Sequence, residues 1–192
     1  MPKALVVYAT SEGQTRKIAL HIAEVLRTEG LDVDVAEGPD PEVDPSPYDA
    51  VLLGASVHVG AFQKEATRWA RTHHAQLGDK HDGFFGVCLS TAHDDPEHNK
   101  AVQDMLDHFL NDTHWKPDRA MMFAGALAFT QYGFIKRWIM TRIAKSEDAD
   151  FDGTDHDYEY TNWDDVEAFA RSFAREMTLK RPPTTIDGPP RG

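Results

Sequence analysis

Two rhythms of hydrophobic positions take turns along the chain. Runs that are apolar almost throughout occur at Ala4–Tyr8, Ala50–Ser56, Phe84–Ser90 and Ala120–Leu127. Runs without alternation are the pattern of strands covered on both faces. Between them, apolar residues recur at helical spacing. Ile18, Ile22, Val25 and Leu26 share one face of Gln14–Glu29, and Phe62, Ala66, Trp69 and Ala70 share one face of Ala61–Leu77. Val102, Met105, Leu106 and Phe109 do so in Glu97–Leu110, and Val166, Phe169, Phe173 and Met177 in Trp163–Leu179. Tyr132–Lys145 also reads as helical. Leu31–Ala36 differs: LDVDVA alternates, which predicts a strand with one acidic face. Gly38–Pro47 carries prolines at 39, 41, 45 and 47 and reads as a loop. Ala149–Tyr160 is acidic and reads as irregular. Thr161 followed by Asp164 predicts a capping box on the last helix.

Five strands alternating with helices predict an α/β fold, a doubly wound parallel sheet of five strands. The expected organisation is a single domain over residues 1–180. An insert of about 128–162 precedes the last helix, and 181–192 form a disordered Pro-rich tail. In such sheets ligands sit beyond the carboxyl ends of the strands, at the switch point. The loops after the first, third and fourth strands are therefore the ones to inspect.

Composition narrows the class. The chain has 192 residues, 41% hydrophobic and 27% charged, which suits one soluble globular core. No leader peptide or 18-residue apolar span is visible, so a cytoplasmic address is expected. The single Cys88 excludes an internal disulfide, and its apolar surroundings predict a buried thiol. A net charge of −12 argues against nucleic acid as a partner. Gln131–Lys145 runs against that balance, holding Lys136, Arg137, Arg142 and Lys145 with no acid. His73-His74 and His93 with His98 show no ordered third ligand and read as solvated surface.

The first loop, Thr10-Ser11-Glu12-Gly13-Gln14-Thr15, gathers three hydroxyls and a glycine at a helix start. Free N–H groups and the positive end of the helix dipole suit an anion there. The GxxxxGK[ST] and GxGxxG patterns are both absent, which leaves a monophosphate ester as the matching ligand. An ordinary Ser/Thr cap explains the same residues equally well. The second loop runs through Gly54, Ala55, Ser56, Val57, His58, Val59 and Gly60, small enough to admit a flat ligand. The third opens with Ser90, Thr91, Ala92 and His93, whose polar start could meet a heterocycle's edge.

The segments SEGQTRKIA, YDAVLLGASVHVG, HWKPDRAMMFAGAL and YEYTNWDDVEAFA together resemble the flavodoxin-like, menaquinone-dependent protoporphyrinogen oxidases. The resemblance covers roughly residues 3–177 and includes a long insert that short-chain flavodoxins lack. It implies a flavodoxin-like strand order 2-1-3-4-5 and FMN as cofactor. It implies that residues 10–15 hold the FMN phosphate, that Ala55 to Gly60 lie against the isoalloxazine, and that Ser90 to His93 form the third FMN loop. An aromatic that relatives often place near Val59 is missing here. The implied activity is oxidation of protoporphyrinogen IX to protoporphyrin IX in haem synthesis, with electrons passed to a quinone. The alternative is a flavodoxin-type carrier of electrons between redox proteins, and a third reading is a scaffold that binds no flavin. No residue stands out as the catalytic acid or base.

Two features of the insert remain. FIKRWIMTRIAK sets Trp and aliphatics beside cations, which suits either an interfacial helix or one packed on its own domain. On the first view Lys136, Arg137 and Arg142 steer propionates or lipid headgroups, giving a peripheral contact with the inner face of the cell membrane. The sequence is also compatible with a homo-oligomer. DADFDGTDHDYE fits a calcium-loop pattern, with Asp148, Asp150, Asp152 and Glu159 as side-chain ligands. No second loop exists to pair with it, so no metal is assigned.

Overall fold

The computed structural model describes residues 1–38, 43–58, 60–88, 96–127 and 158–180. Its elements are β1 (Lys3–Ala9), α1 (Gln14–Thr28), β2 (Asp32–Glu37), β3 (Ala50–His58), β4 (Ala61–Phe62), α2 (Lys64–Gly78), β5 (His81–Cys88), α3 (Pro96–Thr113), β6 (Arg119–Ala124), β7 (Ala126–Leu127), β8 (Tyr158–Glu159) and α4 (Trp163–Lys180). The five long strands are parallel in the order β2-β1-β3-β5-β6, the expected order once the short β4 is numbered. β4 adds an antiparallel pair at the far end of β3.

Strand periodicity divides the core into two layers. Ala4, Val6 and Tyr8 of β1 face α1 and α4, in a cluster with Ile18, Ile22, Phe169 and Phe173. Leu5, Val7 and Ala9 face the other way, in a cluster with Trp69, Leu106, Phe109 and Trp115 from the side of α2 and α3. β1, β3 and β5 are buried nearly throughout because helices cover both faces. Gly54 keeps β3 compatible with β5: a Cβ at this position would fall inside the ring of Phe85, its cross-strand partner.

Five expectations change. β6 is not covered on both faces. As an edge strand it leaves Ala120 and Met121 exposed and buries only Phe123 fully. Ala61-Phe62 does not begin a helix, since it turns back to pair with Val57 and His58. Tyr158–Glu159 is not irregular, because it forms β8 against β7. Thr161 does not cap the last helix. Its hydroxyl donates to the Ala124 carbonyl (2.7 Å), and Asn162 Oδ1 instead accepts the Asp164 N–H (3.1 Å). His73 is likewise buried, its ring tilted against that of Trp69 with Nδ1 against Gln76, rather than solvated.

A polar cluster closes the opposite end of the sheet. Asp82, 2% exposed, accepts the Trp115 indole N–H and the Asp118 backbone N–H, and Asp118 in turn meets His81 Nδ1 at 3.0 Å. Desolvation pushes the Asp82 carboxyl up from its ordinary value against the pull of those donors. Cys88 is buried at the end of β5. Among the described residues no helix is long and apolar enough to cross a membrane.

Candidate functional site

The carboxyl ends of β1 and β3 bring the first two candidate loops together. After Ala9 the chain needs only Thr10 to Gly13 to enter α1. Gly13 stands at the N-cap with φ 86°, a left-handed conformation that suits a residue without Cβ. Its N–H is held by Thr10 Oγ1 (3.0 Å), and its carbonyl accepts the first helical bond, from Lys17 (3.1 Å). No side chain caps α1. The hydroxyls do not serve as a cap, so the first N–H groups of the helix stay available to an anion.

Thr15 carries the same argument further. Its side chain is 1% exposed, yet Oγ1 has no hydrogen-bond partner among the described residues. A buried hydroxyl without a partner costs free energy, so its persistence points to a ligand that completes it. Uncapped N–H groups, a left-handed glycine and an unpartnered hydroxyl fit a phosphate.

Two of the expected residues have side chains engaged within the chain itself. Gln14 is buried, and its amide donates to Thr161 Oγ1 (2.8 Å), which fastens α1 to the junction of β8 and α4. Ser11 accepts a hydrogen bond from the Gln63 amide, whose same nitrogen donates to Ser56 Oγ (2.9 Å). Gln63 thus bridges the two loops. Sequence reasoning missed it because it looked like one more residue of a helix. It is in fact the N-cap of α2, with its side chain turned away from the cap.

The second loop is a tight hairpin. Ala55 is fully buried, Ser56 and Val57 are half-buried and His58 is exposed. His58 pairs with Ala61, and Gly60 makes the turn with φ 77°. Glu12 lies close enough to His58 for their charges to interact. Partial desolvation raises the Glu12 carboxyl from its ordinary value, and His58 offsets part of this. The hairpin therefore sets a small, partly polar wall beside the uncapped helix end.

Val59, Ser90, Thr91, Ala92, His93, Lys136, Arg137, Arg142, Asp148, Asp150 and Asp152 lie outside the described residues. Glu159 does not. Its Oε2 accepts from Lys17 Nζ (3.0 Å) and its Oε1 from the Trp163 indole (2.8 Å). Burial opposes its ionisation, but the bonds and charge of these donors outweigh it and hold the carboxyl below its ordinary value. Both oxygens are engaged in fastening β8, which weighs against a place in a calcium loop.

Comparison with known proteins identifies the family. The flavodoxin-domain family pattern fits residues 5–154. A protoporphyrinogen IX dehydrogenase (quinone) of Escherichia coli K12 is 31% identical over 186 residues, covering 93% of this chain and 99% of its own. A protein of that name from Leishmania major is 33% identical over 187 residues, covering 95% of this chain and 78% of its own. Among solved structures, a short-chain flavodoxin associated with a bacterial microcompartment has a TM-score of 0.54 at 16% identity, covering 92% of this chain and 99% of its own. A flavodoxin of Streptococcus pneumoniae TIGR4 also gives 0.54, at 21% identity, with 93% and 99% covered. The solved structures establish the fold, and the family match implies a flavin cofactor. The chain belongs to the flavodoxin-domain family, in the branch that its protoporphyrinogen IX dehydrogenase relatives represent.

Proposed function

We propose that the protein uses FMN to oxidise protoporphyrinogen IX to protoporphyrin IX, a late step of haem synthesis, and passes the electrons to a quinone such as menaquinone. The observation that carries this reading is likeness along nearly the whole chain, at 31% and 33% identity, to relatives named for that reaction. The uncapped α1 terminus and the unpartnered Thr15 hydroxyl support FMN in particular, because a monophosphate needs those donors and no metal.

In this reading the N–H groups that open α1, with Thr15 and Thr10, hold the phosphate. Ala55 to Gly60 and Ser90 to His93 flank the ring. When bound, the flavin would supply hydride-accepting chemistry in successive two-electron rounds, each pair of electrons passing to a quinone before the next, until the macrocycle is fully oxidised. The chain supplies orientation and a route for protons. Gln63 fixes the phosphate loop against the ring loop through Ser11 and Ser56. The Glu12 carboxyl, made easier to protonate by desolvation, stands beside the exposed His58 where a proton can leave to water. The quinone places the working site at the inner face of the cell membrane. There Lys136, Arg137 and Arg142 meet anionic headgroups or the approaching substrate, with the protein otherwise cytoplasmic.

Purified protein should carry the visible spectrum of bound FMN. It should oxidise protoporphyrinogen IX without oxygen when given a menaquinone analogue. A colourless protein that takes up no FMN would overturn the cofactor assignment. A yellow protein that exchanges electrons with redox proteins but leaves porphyrinogen unchanged would overturn the substrate assignment in favour of an electron carrier.

A further inference from the structure

A second concave surface lies next to the ring loop. It is a cleft of about 800 Å³ that begins at Gly60–Phe62 and runs between α2 and α3. That volume is within the range of small-molecule sites. Its floor is apolar. Phe62, stacked edge-on against Phe84 and Phe109, forms the inner end, and Met105 is half-buried beside it.

Its α2 wall is basic. Lys64, Arg68 and Arg71 follow one another at i, i+4 and i+7, which places them on one helical stripe. Arg71 is bound to Asp112 (2.6 Å), and Asp104 on the facing helix is within 3.5 Å of Lys100. Lys64 and Arg68 are exposed, and among the described residues neither has an acidic partner. Among the described residues these two cations stand on one helical stripe with no acid bound to either, in a chain of net charge −12. Lys64 is also the first residue of α2, at the positive end of the helix dipole, where a cation is disfavoured. Stability does not explain that placement, whereas an anionic ligand does.

We propose that this cleft seats the carboxylate-bearing side of a flat, apolar substrate. Lys64 and Arg68 pair with the carboxylates, while Phe62 and Met105 support the hydrocarbon. The inference rests on the reading above, since a porphyrinogen combines a greasy macrocycle with propionates. The cleft starts where the ring loop ends, so a substrate anchored by its acids in the cleft projects its ring towards the flavin.

The test uses the FMN-loaded full chain and the double variant K64E/R68E, with K64R/R68K as the charge-keeping control. Binding of protoporphyrin IX is followed by fluorescence. The charge reversal should weaken binding about tenfold or more, the size of one lost charge-assisted hydrogen bond. The control should retain it. Protoporphyrin dimethyl ester, which keeps the ring and lacks the acids, should bind wild type and K64E/R68E alike. Equal affinity of the free acid for wild type and K64E/R68E overturns the cleft, as does failure of wild type to bind it. Anaerobic turnover by wild type, measured beside this, judges the reading of the reaction separately. A protein that turns over but binds equally with and without the charges keeps its activity and loses this cleft.

Discussion

Thr15 separates what the cofactor needs from what the fold needs. Its buried hydroxyl has no partner among the described residues, so the free protein gains nothing from it. Thr15→Val keeps shape and removes the polar atom. The cofactor-free variant should be as stable as wild type or about 1 kcal/mol more stable, while its affinity for FMN should fall about tenfold. Thermal denaturation without FMN and a fluorescence titration with it measure the two effects, and loss of both stability and affinity would make Thr15 an ordinary packing residue. Tyr8 illustrates the opposite case, a buried group satisfied by its own chain. Its hydroxyl donates to Glu37 (2.9 Å), and burial, followed by that carboxylate, pushes its pKa from 10.0 to about 12. Between those values the folded chain keeps a proton that the unfolded chain releases. The contribution is therefore whole below pH 10 and declines as pH rises to about 12. Tyr8→Phe should flatten that alkaline decline in denaturant titrations, and an unchanged slope between the two proteins would contradict it.

At the scale of elements, the sequence was most readable where one physical rule governs a whole segment. Continuous apolar runs marked β1, β3 and β5 because helices really do cover both of their faces. The same run misled at β6, since an edge strand can be equally apolar in composition and still leave Met121 39% exposed. Pairs of residues were least legible. Nothing in the local pattern separates Ala61-Phe62 from the helix that follows; only the turn at Gly60 returns it to β3. The loop between β1 and α1 was readable in residue types but not in the contacts they make. Gln14 looks like a ligand yet ties α1 to Thr161, and Gln63, 49 positions after it in the chain, reaches both Ser11 and Ser56. Such partners are chosen by tertiary approach, which spacing along a chain does not encode. Gly54 is the element-scale test of the sheet. Gly54→Ala would drive a methyl group into Phe85, and with β3 and β5 fixed by their register the overpacking should cost about 1–3 kcal/mol. Urea denaturation reads this directly, and a loss below the error of the extrapolation would show that the Phe85 ring can move aside.

Across the whole molecule, the cofactor end of the sheet and the base of the insert share one set of contacts. Gln14 is the first residue of α1, and it donates to Thr161, which in turn holds the Ala124 carbonyl at the end of β6. One turn further on, Lys17 reaches Glu159 on β8, which pairs with β7. An anion bound at the opening N–H groups of α1 would therefore order the same turn that holds Thr161, Ala124 and Glu159. Ligand binding stabilises any region whose opening would release the ligand, by about 2.7 kcal/mol at a hundredfold excess over the dissociation constant. FMN should accordingly slow hydrogen exchange in α1 and also at Tyr158–Asn162, although those residues are not among the ones assigned to the phosphate. Gln14→Leu removes the amide that links the two regions. In that variant FMN should still protect α1, while the added protection at 158–162 should shrink. Equal protection there in both proteins would mean that the insert's base is held by the β7–β8 pairing and the Lys17–Glu159 bridge alone, and that cofactor binding at one loop is not felt where the insert begins.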